Sequence, residues 1–131
     1  MPLKLSLKPG EKFVCNGAVL TNGDRRVSLV IENKASILRD KDIMQLTDAT
    51  TPARRIYFPI MMLYLDNEQA DVHYDEFVNR MSEFMEAVSD RDILATCIAM
   101  SRDVLKGDYY KALVKCRQLF DFEQERLNHV P

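Results

Sequence analysis

The sequence contains few of the residues on which most catalytic and metal sites depend. Its two histidines are His73 and His129, and neither stands near a nucleophile, a base or a cluster of metal ligands. We interpret His73 as a solvated loop residue, and we expect no enzymatic activity, metal or other cofactor. The chain has four glycines but no glycine-rich phosphate loop, because the segment from Lys8 to Glu11 holds one glycine and no helix follows it.

Cysteine and long apolar runs are also scarce. The three cysteines, Cys15, Cys97 and Cys116, are odd in number and lack C-x-x-C spacing, so we expect reduced, buried thiols rather than disulfides or zinc ligands. The longest apolar run, Ile60 to Leu65, is far shorter than the roughly 20 residues that a bilayer requires. The first residues start no signal-peptide pattern. We therefore expect a cytoplasmic protein with no membrane partner and no small-molecule substrate.

The charges of the chain are divided unevenly along its length. Residues 1–41 carry eight basic and four acidic side chains, a net charge of +4, whereas the rest of the chain carries −6, which together give the total of −2. The basic part would attract a polyanion, and the acidic part suits a protein partner. Solvated charge on both parts is the alternative, and charge by itself leaves the choice open.

The basic part has the pattern of short strands separated by turns. Asn16-Gly17 is the strongest hairpin signal, because both residues tolerate the positive φ of a tight turn. A second turn is predicted at Asn22-Gly23-Asp24. The predicted strands alternate apolar and polar residues or are rich in β-branched ones: Leu3–Leu7, Phe13–Cys15, Ala18–Leu20, Val27–Ile31 and Ala35–Leu38.

The acidic part changes to a helical period. Thr51-Pro52 predicts the start of a first helix, which Pro59 should kink or interrupt, and an exposed acidic loop is expected from Asp66 to Asp71. A second helix is predicted from about Asp75 to Val88. A third begins after Ser89 as N-cap and ends at Gly107, and a fourth follows Asp108 and packs antiparallel to the third. We divide the chain into a β subdomain, 1–45, and a helical subdomain, 46–131.

Several segments resemble a known family. Leu5–Lys12, the Asn16-Gly17 hairpin and Ala35–Ile43 resemble the opening and last strands of CsrA-type RNA-binding proteins. With Thr50–Pro59 and the helical tail added, essentially all 131 residues resemble the FlbT family of flagellar regulators. The expected fold is therefore α+β: an N-terminal CsrA-like antiparallel β meander of about five strands, followed by a C-terminal bundle of about four helices.

The resemblance implies a post-transcriptional regulator of flagellin synthesis and flagellum assembly. Such a protein binds the untranslated leader of flagellin mRNA and alters its translation or stability, commonly as a repressor. It also implies FlaF or another flagellar protein as a partner and, because CsrA-type proteins dimerise, allows a homodimer. CsrA-type proteins contact RNA through their first and last strands, and the matching positions here are Leu5, Leu7, Ile37, Arg39 and Asp40. Leu7 departs from the pattern, since arginine usually stands there.

Lysine and arginine neutralise RNA phosphates, and the guanidinium plane of arginine stacks on unpaired bases. For Arg54 and Arg55, surface ion pairs with Asp48 or Glu68 are the alternative interpretation. The candidate RNA-binding residues are Lys4, Leu5, Lys8, Arg25, Arg26, Arg39, Arg54 and Arg55.

The alternative function is a protein-interaction or chaperone-like adaptor that works with FlaF through its helices and does not recognise RNA directly. Its signal is a set of methionines that would form an adaptable groove: Met61, Met62, Met81 and Met85. Core packing is the more common role of such residues.

Overall fold

The computed structural model describes residues 2–65 and 68–128. Five strands come first and four helices follow, which confirms the predicted α+β class. The chain divides into two compact units, Met1–Ile43 and Met44–Pro131, and each is described separately below. The strands are β1 Leu3–Leu7, β2 Lys12–Cys15, β3 Ala18–Thr21, β4 Val27–Ile31 and β5 Ile37–Arg39; the helices are α1 Pro52–Leu65, α2 Ala70–Ala87, α3 Arg91–Lys106 and α4 Tyr109–Asn128.

The strands of the first unit form two small antiparallel sheets. One is a ribbon of β1 and β4, and the other has the order β3-β2-β5. The order differs from the predicted meander, in which each strand would pair with the next. The cause lies in the turn after β3: the Gly10 N–H lies 3.2 Å from the carbonyl of Asn22 and 3.0 Å from that of Gly23. This contact turns the chain back, so that β4 pairs with β1.

The predicted Asn16-Gly17 hairpin is confirmed. Asn16 has φ +50° and Gly17 has φ +85°, the positive values that a two-residue turn of this kind requires. Asn16 also connects the hairpin to the start of β5. Its N–H donates to the carbonyl of Ser36 at 2.9 Å, and its side-chain oxygen accepts from the Ser36 N–H at 2.8 Å.

The core of the first unit is small. Leu5, Leu7, Phe13 and Ile37 form one buried cluster, against which Cys15, Ile31 and Ala35 pack. The strands contribute alternate residues to this cluster, and the neighbouring Val14 on β2 and Leu38 on β5 are buried as well. So few buried side chains supply limited hydrophobic stabilisation, and polar contacts between segments therefore matter more in this unit.

Local signals position the helix ends. The Thr51 hydroxyl accepts from the Arg54 N–H at 3.2 Å, so α1 begins where predicted. Gly107, at φ +81°, ends α3 in the left-handed conformation. The N-cap of α3 is Asp90 rather than the predicted Ser89. Its carboxylate accepts from the N–H groups of Asp92 and Ile93 at 2.9 and 3.1 Å, and a carboxylate is favoured at the positive end of a helix.

Two predicted features of the helices differ in the structure. Pro59 lies inside α1 and does not interrupt it. The predicted acidic loop is helical from Ala70, where α2 begins, so His73 lies on a helix rather than in a loop. Ala70 and His73 stand seven and four residues before the buried Phe77, on the same helix face, and both are half-buried. Asp66 and His129 lie outside the described residues.

The helices of the second unit pack through α1, which contacts both α2 and α4, and through the antiparallel pair α3 and α4. Met61 and Met81 belong to this core, at 3% and 4% exposure, whereas Met62 and Met85 are half-buried. Asp103 on α3 is buried and forms an ion pair with Lys115 on α4. Among the described residues, no helix combines the length and the apolar character needed to span a bilayer.

The two cysteines of the helical core should be unreactive in the native protein. Burial raises the pKa of Cys97 to about 11 and that of Cys116 well above its ordinary value, and the Cys116 thiol lies 3.6 Å from the carbonyl of Ala53. Cys15 is half-buried. At about pH 8 we expect a thiol reagent to modify Cys15 first, and to modify Cys97 and Cys116 only in denaturant. A Cys15→Ser variant should show no fast phase, and a second rapidly reacting thiol would contradict this packing.

Candidate nucleic-acid interface

The outer side of β1 carries polar and basic side chains. Leu5 and Leu7 point into the core, so Lys4 and Ser6 lie on the opposite side of the strand and are exposed. Directly across on β4, Val30 pairs with Lys4 and Ser28 pairs with Ser6.

Arg26 joins this side just before β4, where its Nη1 donates to the Ser6 hydroxyl at 3.3 Å. Lys8 follows β1 with the same alternation and is exposed. We call the set Lys4, Ser6, Lys8, Arg26 and Ser28 the β1 face.

One amide side chain holds the basic end of this face together. Nδ2 of Asn22 lies 3.3 Å from the carbonyl of Leu7, 2.8 Å from that of Lys8 and 2.8 Å from that of Arg25. It thereby fastens the main chain of the turn before β4 to the end of β1. Lys8, Arg25 and Arg26 are brought to the same end of the ribbon as a result.

Arg39 fastens β5 to β1. Its Nε and Nη2 donate to Oε2 of Glu11 at 3.2 and 2.8 Å, and Nη2 also donates to the carbonyl of Ser6 at 2.6 Å. The other carboxylate oxygen of Glu11 accepts from the Lys8 N–H at 2.9 Å. This main-chain hydrogen bond and the Arg39 guanidinium lower the pKa of Glu11. The charge of Arg39 is therefore largely compensated within the protein.

The cations of the β1 face, and Arg25 beside Arg26, form no such ion pair with a described residue. None of the ion pairs formed by residues 2–65 and 68–128 involves Lys4, Lys8, Arg25 or Arg26, and all four side chains are exposed. Their potential is available to an anion in solution. The exposed hydroxyl groups of Ser6 and Ser28 add donors and acceptors between them.

The apolar positions that were expected to contact RNA are buried and do not belong to the β1 face. Leu5 is 5% exposed and Leu7 only 1%, so a contact to RNA at Leu5 could come only from the main chain. The burial of Leu7 also accounts for the absence of an arginine there, because a cation at this position would have to enter the core. Ile37 is buried as well, and Asp40 is exposed.

Arg54 and Arg55 lie on the first turn of α1, in the helical unit. The Arg54 guanidinium lies over the ring of Phe120, 5.3 Å from its centroid. Arg55 lines a cavity that is described below. The carboxylate of Asp48, one of their suggested partners, accepts instead from the Gln45 N–H at 3.1 Å.

Two residues of the site were not among the sequence candidates. The sequence predicts Asn22 only as a turn residue, and it assigns no role to Glu11, at the end of the Lys8 to Glu11 segment. Their signals are weak, since turns often contain Asn and acidic residues. What gives them importance is their long-range partners, fourteen and twenty-eight residues away in the sequence.

The fold and the site define an α+β protein whose N-terminal β unit exposes a basic face. A family model described as "Flagellar protein FlbT" matches residues 3–127. The chain therefore belongs to the FlbT family.

Curated relatives agree with this assignment. A protein of Caulobacter sp. strain K31, named "Probable flagellum biosynthesis repressor protein FlbT", is 62% identical over 99% of both chains. The "Flagellum biosynthesis repressor protein FlbT" of Caulobacter vibrioides is 60% identical over 99% of this chain and 92% of its own. A relative from Rhodopseudomonas palustris strain TIE-1 is 39% identical over 98% of this chain and 99% of its own. No solved structure matches the chain.

The network around Glu11 predicts an acid-sensitive stability. Because the folded-state pKa of Glu11 is lowered, its contribution is present above its ordinary value of 4.5 and is lost as pH falls through the lower folded-state value. At about pH 7 we expect urea denaturation to give a lower free energy of unfolding for Glu11→Gln than for the parent. This difference should shrink as the pH is lowered to about 3. Glu32→Gln, which changes an exposed carboxylate after β4, is the control. A difference for Glu11→Gln that does not depend on pH would contradict the network.

Proposed function

We propose that this chain regulates flagellin synthesis and flagellum assembly after transcription, by binding the untranslated leader of flagellin mRNA through the β1 face. The observation that carries the proposal is the gathering of Lys4, Lys8, Arg25 and Arg26 on one ribbon, where none of them forms an ion pair with a described carboxylate. Family membership supports the flagellar part, because the relatives are named flagellum biosynthesis repressors.

The chemistry of the β1 face suits single-stranded RNA. Lysine and arginine contact phosphates, and the arginine planes can stack on bases that are not paired. Ser6 and Ser28 can exchange hydrogen bonds with base edges or 2′-hydroxyl groups. Occupation of a leader by such a face would compete with ribosome binding or expose the transcript to decay, which are both ways to repress. The proposed compartment is the cytoplasm.

The position of Arg39 in the last strand suggests a direct RNA contact, but in this proposal Arg39 has a structural role. Its guanidinium is occupied by Glu11 and by the carbonyl of Ser6, so it positions β1 rather than serving as a free phosphate ligand. Replacement of Arg39 would disturb the β unit itself. It is therefore a poor probe of RNA contact.

The second candidate function is a protein adaptor that works with FlaF through the helical unit. The observation in its favour is a row of exposed apolar side chains on α3 and α4. Ile98 and Leu105 stand seven residues apart on α3, and Tyr110 and Val114 stand four apart on α4; they are 45%, 71%, 44% and 42% exposed. Exposed apolar residues at helical spacing are typical of surfaces that bind another protein.

The RNA proposal predicts a salt-dependent and residue-specific affinity. Purified protein is titrated into labelled flagellin leader and into a scrambled RNA of equal length, each at several salt concentrations. The leader should bind more tightly than the scrambled RNA. The double variant Lys4→Gln and Arg26→Gln should weaken binding and reduce the slope of log K against log salt by about 1.4, since each contact to a single strand contributes about 0.7.

The matched control is the double variant Arg102→Gln and Lys111→Gln, which removes the same charges from exposed positions of the helical unit. It should bind the leader with nearly the parent slope. Equal binding of the two RNAs, or an equal effect of the two double variants, rejects the β1 face as a recognition surface. In that case the adaptor function is tested by measuring the affinity of the Leu105→Ser and Val114→Ser variants for FlaF, which should be lower than that of the parent.

A further inference from the structure

The helical unit contains a cavity that the proposed RNA face does not use. Its volume is about 700 Å³, within the range of about 300–1,000 Å³ that is usual for small-molecule sites. The start of α1, the last turns of α2 and the last turns of α4 form its walls. All of these segments belong to the same compact unit.

The cavity has an apolar side made largely of aromatic and aliphatic groups. Phe84 and Val88 reach it from the end of α2 and Phe122 from α4. Phe84 is buried, at 4% exposure, whereas Val88 and Phe122 are half-buried. A planar apolar body would be removed from water between these side chains.

The same cavity is lined by more cationic than anionic side chains. Arg55, Arg80 and Arg126 contribute to its walls, as do Glu83 and Glu123. Both carboxylates already have partners. Oε2 of Glu83 lies 3.5 Å from Nη1 of Arg80, and Oε2 of Glu123 accepts from the Ala53 N–H at 2.8 Å at the start of α1.

Arg55 and Arg126 are left without a carboxylate. No ion pair among the described parts of the chain includes either of them. The Arg126 guanidinium lies over the ring of Phe122, 5.2 Å from its centroid, which fixes the cation beside the apolar side. Arg55 lies on the first turn of α1, where the helix dipole adds positive potential.

A neighbouring cavity indicates which end of the site receives the negative group. This second cavity, of about 290 Å³, shares Phe122 and Arg126 with the first and adds the carboxylates of Asp90 and Glu125. Negative charge would be repelled there. The anionic group of a ligand therefore belongs at the Arg55 end, and its apolar body belongs against Phe84 and Phe122.

We propose that this cavity is a binding site for a small phosphate ester with an aromatic body. Arginine suits a phosphate because its planar donors contact two phosphate oxygens together. The aromatic body accounts for the apolar side, where Arg126 lies over Phe122, and the phosphate accounts for Arg55, the arginine that lies away from Asp90 and Glu125. The site is separate from the β1 face and does not depend on the RNA proposal.

The test is a nuclear magnetic resonance titration of the full chain with phenyl phosphate, and with inorganic phosphate and benzyl alcohol as the two halves of that probe. Phenyl phosphate should give saturable shifts in the backbone amide signals of Thr51 and of residues 53–55, 84–89 and 122–126. Each half should bind with an affinity at least roughly tenfold lower than that of phenyl phosphate, because it lacks one set of contacts. Shifts confined to β1, or no saturable shifts, would overturn the proposal.

Two variants locate the site. Arg55→Gln should weaken phenyl phosphate binding roughly tenfold while leaving benzyl alcohol binding unchanged, since it removes only the phosphate contact. Ala87→Trp, at an exposed position that lines the cavity, should fill the space and weaken both. Arg102→Gln, an exposed arginine on α3 outside the cavity, is the control. An equal effect of Arg55→Gln and Arg102→Gln would overturn the proposal even if Ala87→Trp fails to fold.

Discussion

The β unit depends on the guanidinium of Arg39, which contacts the carboxylate of Glu11 and the carbonyl of Ser6. These contacts connect the last strand, the turn after the first strand and the first strand itself. Six apolar side chains of this unit are buried, and so small a core means that hydrophobic burial alone holds the five short strands together only weakly. Arg39 and the amide of Asn22 supply the long-range connections that sequence-local hairpins lack.

This way of holding the strands together also determines which charges remain available. Glu11 compensates the charge of Arg39 and accepts a hydrogen bond from the Lys8 N–H, so both oxygens of its carboxylate are occupied within the β unit. Lys4, Lys8, Arg25 and Arg26 are exposed and form no ion pair with any described residue, and Glu11 acts on Lys8 only by a weaker electrostatic attraction. The basic face is therefore a consequence of the same contacts that fix the ribbon, rather than a separate addition to the fold.

Local chemistry was enough to predict much of this fold. The Asn16-Gly17 turn, the start of α1 at Thr51-Pro52 and the end of α3 at Gly107 each follow from backbone preferences of a few residues. The order of the strands did not follow, because it is set by contacts between distant segments such as Gly10 with Asn22.

The candidate site likewise has some properties that the sequence predicts and others that depend on tertiary contacts. Charge identified the exposed lysines and arginines, but it gave no indication that Arg39 is compensated or that Leu5 is buried. Those two properties arise from tertiary neighbours.

The helical unit shows a second arrangement of cations: Arg54 and Arg126 lie over the rings of Phe120 and Phe122. An aromatic ring orients a guanidinium without neutralising it, whereas Glu76 and Glu83 largely compensate Arg80. The capacity of each unit to bind an anion therefore depends on what its arginines contact. The net charges of residues 1–41 and 42–131, +4 and −6, do not reveal those contacts.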